Sequence, residues 1–484
     1  MKGIDYTGHP LFDVGLATLT AFAGKKHPSQ LTEEDLSKAA QYMETNYVVD
    51  PLKSFLTVAF PNSGFNNPAF EAHPEKRYLY AQKILGAFLV NQPHPAYTDP
   101  FSGEPATAIP YDIKGELPPG RAFRQHIPLL TAEDMVNFHA EGEAGLPLSG
   151  FSLLVFHALP LGCAKVGGRL LAVHCDDSRL MLHFAKSFLG INQKHIVAAR
   201  AANEKKLADT STRQPRTLLI EQLLEAELEL QNQEHPTGSL TAYYFTNSGQ
   251  GVELQIIPLP FEVSRFLRHA ISPRYQGAWQ ALVERGWQLT RKGGAQPRYN
   301  RLYEDLFTLP LQSVAFIRRY FLRKPSKSGD KTDPTTTYNP RAEANLISWA
   351  LAELFLKEVM LMERERIDAI RRLGDSLAEY IVRQNDRRFF NAFWLARSYS
   401  ELRAALIRTS LVLVRQNQPP LIGFDEFLAV FELSEGIPNA DWRLGRDLVL
   451  IRLMERLYQE GWLAQHLEAV PEEIAAEESA EETM

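Results

Sequence analysis

Two carboxylates followed by a lysine are the means by which metal-dependent nucleases hold magnesium and polarise a scissile phosphate. Asp99 with Asp112-Ile113-Lys114 presents that order loosely, in the manner of a PD-(D/E)xK enzyme. Turn-rich sequence produces such spacings by chance, because Asp is a turn former. Cys163, His174, Cys175 and Asp176 are metal-ligating residue types, and a small buried hydrophobe followed by a hairpin turn accounts for them equally well. No P-loop, HExxH or Gly-x-Ser-x-Gly motif occurs, which excludes three large classes of hydrolase. Enzymatic chemistry is the minor reading, and no resident metal or cofactor is expected.

The residues for recognition without bond cleavage are better supplied. The stretch PNSGFNNP carries Asn62, Asn66 and Asn67, and TNSGQG carries Asn247, Ser248 and Gln250. Such uncharged donor–acceptor side chains suit base edges, and turns also favour them simply to satisfy their own backbone. A basic-aromatic cluster of Arg121, Phe123, Arg124, Gln125 and His126, and the loop TSTRQPR with Arg213 and Arg216, suit phosphate contact. Residues 363–415 hold eleven Arg and no Lys against seven acids, a local charge of +4 that includes Arg371, Arg372, Arg383, Arg387 and Arg388. A solvated helix surface is the plain alternative for these arginines.

The totals bound the rest. A chain of 484 residues is long enough for two domains. Hydrophobic content of 45% and charged content of 23% fit an ordinary globular protein. Two cysteines cannot build a disulfide framework or a four-cysteine zinc site. The opening MKGIDYTGHP lacks the charged-then-apolar order of a signal peptide, and the apolar run GFSLLVFHALPLG is short and interrupted by His157 and Pro160. A cytoplasmic protein with no membrane association is therefore expected. The net charge of −6 argues against a nucleic-acid binder only as an average, since residues 472–482 carry six Glu and no base. A basic helical face followed by an acidic tail is one footprint of phosphate binding.

Positioning these groups calls for an α+β chain in two parts. Residues 323–340, RKPSKSGDKTDPTTTYNP, have almost no aliphatic side chains and three prolines, and read as a solvated linker. They divide a large mixed domain, 1–322, from a helical bundle with an acidic tail, 341–484. In the first part, Leu11, Val14, Ala17, Leu19 and Phe22 predict a helix that Gly24 closes, and TEED at 32–35 opens another. Residues 55–60 alternate as a strand would. The stretch 97–129 is too rich in Pro and Gly for a long helix. Residues 163–175 predict a hairpin, and LTAYYF with VELQIIPLP around TNSGQG predict a second. In the bundle, Ile367, Ile370, Leu373, Leu377 and Ile381 recur at spacings of three and four, leaving Arg364, Arg371 and Arg372 on the opposite face. Phe389, Phe390, Phe393 and Trp394 are expected to anchor it, with further helices over 402–414, 424–431 and 448–462.

Several of these segments together resemble one family. YTGHPLFDVGLATLTAFAGK, YDIKGELPPGRAFRQHIPL, GEAGLPLSGF, and YYFTNSGQG with its downstream IIPLP are similar to the large subunit of type I-B CRISPR Cascade complexes (Cas-eight b, in its Cst-one form). The resemblance runs through residues 5–275 and is looser beyond the linker. It implies a subunit of an antiviral ribonucleoprotein, without catalytic residues, that assembles on CRISPR RNA with backbone and guide-handle-binding subunits. Such a subunit recognises the protospacer-adjacent motif (PAM) in double-stranded DNA, helps to unwind it and stabilises the R-loop. It then recruits a helicase–nuclease or, in CRISPR-associated transposons, transposition proteins. On this resemblance Asn62, Asn66, Asn67, Asn247, Ser248 and Gln250 are expected to read the motif. Arg121, Arg124, Gln125, Arg213 and Arg216 would contact backbone or guide, and Arg371, Arg372, Arg383, Arg387 and Arg388 the target or displaced strand. The bundle is similar to the small subunit of the same complexes, which can be translated from an internal start, and Met360 or Met362 is placed for one. Family members often carry a CxxC pair near the position of Thr98–Gly103. Neither cysteine is present here, so the resemblance brings no zinc knuckle with it, and that turn must hold by its prolines and packing.

Overall fold

The computed structural model describes residues 4–130, 144–230, 238–247, 252–290, 294, 296–434, 437–438 and 441–471. The chain divides into two compact units, Met1–Phe261 and Glu262–Met484. Helices with small antiparallel sheets make the architecture α+β, and the C-terminal region is helical.

The first unit is built around α1 (Pro10–Phe22), in which every residue from Leu11 to Thr20 is buried. Pro10 stands in its first turn, where an N–H would have no helical partner, and the His9 ring accepts from the Phe12 amide. The Asp13 carboxylate accepts from the amides of Thr7 and Gly8, both at 2.8 Å, and so fixes the incoming turn. The next helices are α2 (Glu33–Tyr47), opened by a Thr32–Asp35 capping box, α3 (Pro74–Leu85) and α4 (Gly150–Ala158). Gly15 lets α1 approach α4, since a Cβ there would lie 2.3 Å from the Val155 carbonyl oxygen.

An antiparallel sheet follows, with strands β1 (Ala164–Val166) and β2 (Arg169–Cys175), then, after α5 (Ser178–Ala201) and α6 (Pro215–Leu230), β3 (Leu240–Thr246) and β4 (Glu253–Leu259). Their order is β1-β2-β3-β4, and β3 pairs β4 without slip from Leu240↔Leu259 to Thr246↔Glu253. Both expected hairpins are therefore present. The segment 55–60 is not a strand: Leu52–Phe55 is a helical turn and Leu56–Val58 a 3-10 turn. The apolar residues that bury are Phe55, Leu56, Ala59 and Phe60, a helical spacing that a short run of six residues also reads as alternation.

From Phe261 onward the described helices of six or more residues are α7 (Phe261–Ala270), α8 (Gln276–Arg285), α9 (Arg301–Leu306), α10 (Trp349–Glu358), α11 (Arg364–Gln384), α12 (Arg387–Trp394), α13 (Tyr399–Arg415), α14 (Phe424–Phe431) and α15 (Trp442–Gln459). α11 packs along α15 and α14, burying Ile367, Ile370, Leu373, Leu377 and Ile381 as the spacing required. Phe389, Phe390, Phe393 and Trp394 are likewise buried in α12. Asp447 of α15 is completely buried, with Arg318 Nε at 2.7 Å, Arg446 Nη2 at 2.9 Å and Lys324 Nζ at 3.7 Å. Burial pushes its carboxyl up, but the three cations outweigh burial and hold it well below the usual carboxylate range.

The expected linker is packed structure, and the boundary near 322 is displaced to 261. Arg323 is fully buried, its guanidinium 3.8 Å from the Tyr338 ring centre, with Arg285 at 4.9 Å from the same ring. Glu343 accepts from Arg323 Nε at 2.8 Å and from Arg285 Nε at 3.0 Å. Arg285 also reaches the Thr337 carbonyl and hydroxyl, and Asp333, itself buried, accepts from the amide and hydroxyl of Thr335. Cation–π stacking and charge-assisted hydrogen bonds order a segment that has too little aliphatic surface to order itself.

Candidate nucleic-acid interface

In the first unit the end of β3 meets the segment that leads into the 60–67 turn. As β3 ends, the Asn247 amide donates to the Val58 carbonyl at 2.7 Å, and its side-chain amide donates to the Ala59 carbonyl at 3.2 Å. Asn247 is 4% exposed, so its side chain ties the end of β3 to the 58–59 backbone and is not presented to a ligand. That corrects its expected role. Asn66 donates to the Phe60 carbonyl at 2.9 Å, and Asn67 caps a 3-10 turn by accepting from the Ala69 amide, also at 2.9 Å. Both serve the loop's own backbone. Asn62 differs: it is exposed, in the left-handed region at φ 61°, at the apex of the same turn. Ser248 and Gln250 lie outside the described residues.

Among the basic candidates of this unit, Arg121 is structural. It is 2% exposed, donates to the carbonyls of Ala144 and Gly145 at 3.0 Å each, and lies 5.0 Å from the centre of the Tyr97 ring. It ties the pair formed by Arg121–Ala122 and Leu146–Pro147 to its surroundings, which leaves none of its face for phosphate. Arg124 and Gln125 are half-buried in the following turn. Arg213 approaches Glu221 at 3.6 Å, and Arg216 stands in the first turn of α6.

The carboxylates of the nuclease alternative are committed to turns. Asp99 is completely buried; one oxygen accepts from the Phe101 amide at 2.8 Å, and the other from the amide and hydroxyl of Ser149 at 2.8 and 2.6 Å. Ser149 is the N-cap of α4, so Asp99 clasps the Asp99–Gly103 turn to that helix. Phe101 adds a stacked contact with Phe12 at 5.5 Å. This clasp, more than prolines, holds that turn. Asp112 accepts from the amides of Glu116 and Leu117 at 2.8 and 3.0 Å. Partial burial raises its pKa, the two amides lower it more, and the net direction is down. Lys114 is exposed and faces Glu116 at 3.7 Å.

The cysteine–histidine candidates are dispersed in the same way. Cys163 and Cys175 are buried free thiols, and burial pushes the Cys175 thiol up to about 12. His174 faces Asp13 at 3.4 Å, and Asp176 accepts from the Ser239 hydroxyl at 2.7 Å. Among the described residues no three His, Cys, Asp or Glu side chains converge as a metal site would require. No described helix is long and apolar enough to cross a membrane.

In the second unit α11 and α12 display the arginines named from sequence. Arg371 pairs with Asp368 at 3.1 Å, Arg372 with Glu426 at 3.2 Å, Arg383 with Glu379, and Arg387 with Glu468 at 2.6 Å. Arg388 is exposed and forms no ion pair among the described residues. Solvent-exposed pairs of this kind contribute about 0–1 kcal/mol each, so a phosphate can replace the carboxylate at little cost. The acids already counted against these arginines are their partners: Asp368 and Glu379 pair with Arg371 and Arg383 within α11 at i, i+3 and i, i+4 spacing, whereas Asp375 pairs with Arg452, which only the fold reveals. No family model, curated protein or solved structure matches the chain.

Proposed function

We propose that this chain is the large subunit of a type I-B CRISPR RNA-guided surveillance complex in the cytoplasm. It acts by recognition and strand stabilisation, with no catalytic step of its own. The resemblance of the turn-bearing segments motivates the reading, and one observation of the fold supports it most: the end of β3 is bonded, through Asn247, to the Val58 and Ala59 carbonyls that lead into the 60–67 turn. A reader of a short flanking motif needs such a backing, rigid behind an exposed amide. Asn62 is the amide that faces outward, and a good bidentate contact to a base edge discriminates by about 1–3 kcal/mol.

Sequence along the guide is read by base pairing, and the exchange of a DNA duplex for a heteroduplex is nearly balanced, so protein contacts tip it. Arg124 and Gln125 are assigned to backbone or guide contact, together with Arg213 and Arg216. Arg371, Arg372, Arg383, Arg387 and Arg388 are assigned to the target or displaced strand. Backbone and guide-handle-binding subunits, small subunits started at Met360 or Met362, and a recruited helicase–nuclease or transposition apparatus are the partners that follow from the reading.

The test uses the complex assembled on its guide. Asn62→Ala is expected to reduce discrimination among flanking motifs about tenfold or more while assembly is unchanged. Reversing Arg387 and Arg388 to Glu is expected to flatten the dependence of log affinity on log salt by about 1.4, at roughly 0.7 per lost single-strand phosphate contact. Unaltered discrimination together with an unaltered salt slope would contradict the assignment.

A further inference from the structure

Helix α13 buries Leu402, Leu406, Thr409 and Leu413 on one face. A helix with one buried stripe ordinarily turns a polar side to water. On α13, however, Ile407, Leu411 and Val414 are 48, 52 and 53% exposed on the other side. With Ala404 they recur at intervals of three, four and three, which is the a/d spacing of a coiled-coil seam. In that register Arg403 takes a g position and Arg408 and Arg415 take e positions. All three are exposed, and none forms an ion pair among the described residues, unlike Arg371, Arg372, Arg383 and Arg387.

We propose that this face docks an amphipathic helix of a partner protein, apolar at its own a and d positions and carrying Glu or Asp at e and g. The charges select the occupant. A second copy of α13 would set arginine against arginine: parallel pairing brings Arg403 beside Arg408 of the other copy, and antiparallel pairing opposes like positions. A nucleic-acid strand would satisfy the arginines but leave the aliphatic seam in water. Only an acidic helix meets both demands. The proposal uses none of the residues assigned to DNA and stands apart from that reading.

The experiment is a fluorescence-anisotropy titration of the full chain with two labelled three-heptad peptides, both with Leu at a and d, one with Glu and the other with Lys at e and g. The acidic peptide is expected to bind at least tenfold more tightly than the basic one. Leu411→Ser should weaken it at least tenfold, and the triple change R403E, R408E and R415E should invert the preference. These positions are exposed, so the variants are expected to keep the parent's thermal midpoint, and a variant that does not is replaced by Val414→Ser. A single-stranded oligonucleotide should leave the bound acidic peptide in place. The proposal is overturned if the two peptides bind alike, if neither serine variant weakens binding, if the oligonucleotide displaces the peptide, or if the chain dimerises through this face.

Discussion

His126 and His157 show what burial does to a titratable side chain. His157 stacks on Phe60 with ring centres 4.6 Å apart, and its Nδ1 lies 2.7 Å from the Leu153 carbonyl, while the Phe123 amide donates to His126 Nδ1 at 3.2 Å. Desolvation lowers both pKa values, to about 3 for His126 and about 4 for His157. The unfolded chain, with His near 6.5, therefore takes up protons before the folded one. Stability of the first unit is full above pH 6.5 and falls as pH drops toward the folded values, by about 1.4 kcal/mol per pH unit for each ring. Urea midpoints of the wild type and of a variant with Gln at both positions check this between pH 6.5 and 4. The variant should lose most of the slope, and an equal slope in both would refute it. The same burial explains Asn247 and Arg121. A turn former and a surface-type cation were legible as residues, but which of them faces inward is decided by distant carbonyls at Ala59, Ala144 and Gly145.

At the scale of elements, periodicity was dependable over long runs, failed over the six residues 55–60, and local composition misled. The stripe of α11 and the caps of α1 and α2 were legible because helical spacing and capping are properties of a few adjacent residues. The segment 323–340 was not, because Arg285 and Glu343, which lie outside it, supply part of what orders it. Arg323→Ala is accordingly expected to destabilise the second unit by about 3 kcal/mol, the typical cost of breaking a buried charge pair from one side. Chemical denaturation monitored through the bundle tryptophans measures it, and a loss below about 0.5 kcal/mol would restore the linker reading. Asp447→Ala belongs to the same class: it leaves Arg318, Lys324 and Arg446 facing one another without their shared carboxylate, and should cost at least as much.

The whole molecule combines a net charge of −6 with arginines gathered on two helices, and joins a mixed unit, in which the end of β3 is tied to the 58–59 backbone, to a helical one that displays cations. Fold class was readable from sequence, whereas the division at 261 was not, since α7 to α9 precede the polar segment and look like a continuation of the first domain. As proposed, this polypeptide, inside a guide-loaded complex, would sense bases the guide does not pair with. Equilibrium affinities for duplexes that share one protospacer and differ only in the flanking bases measure this directly. A spread of about tenfold or more, roughly 1.4 kcal/mol, is expected across the set. Affinities equal within twofold for every flank would contradict the account.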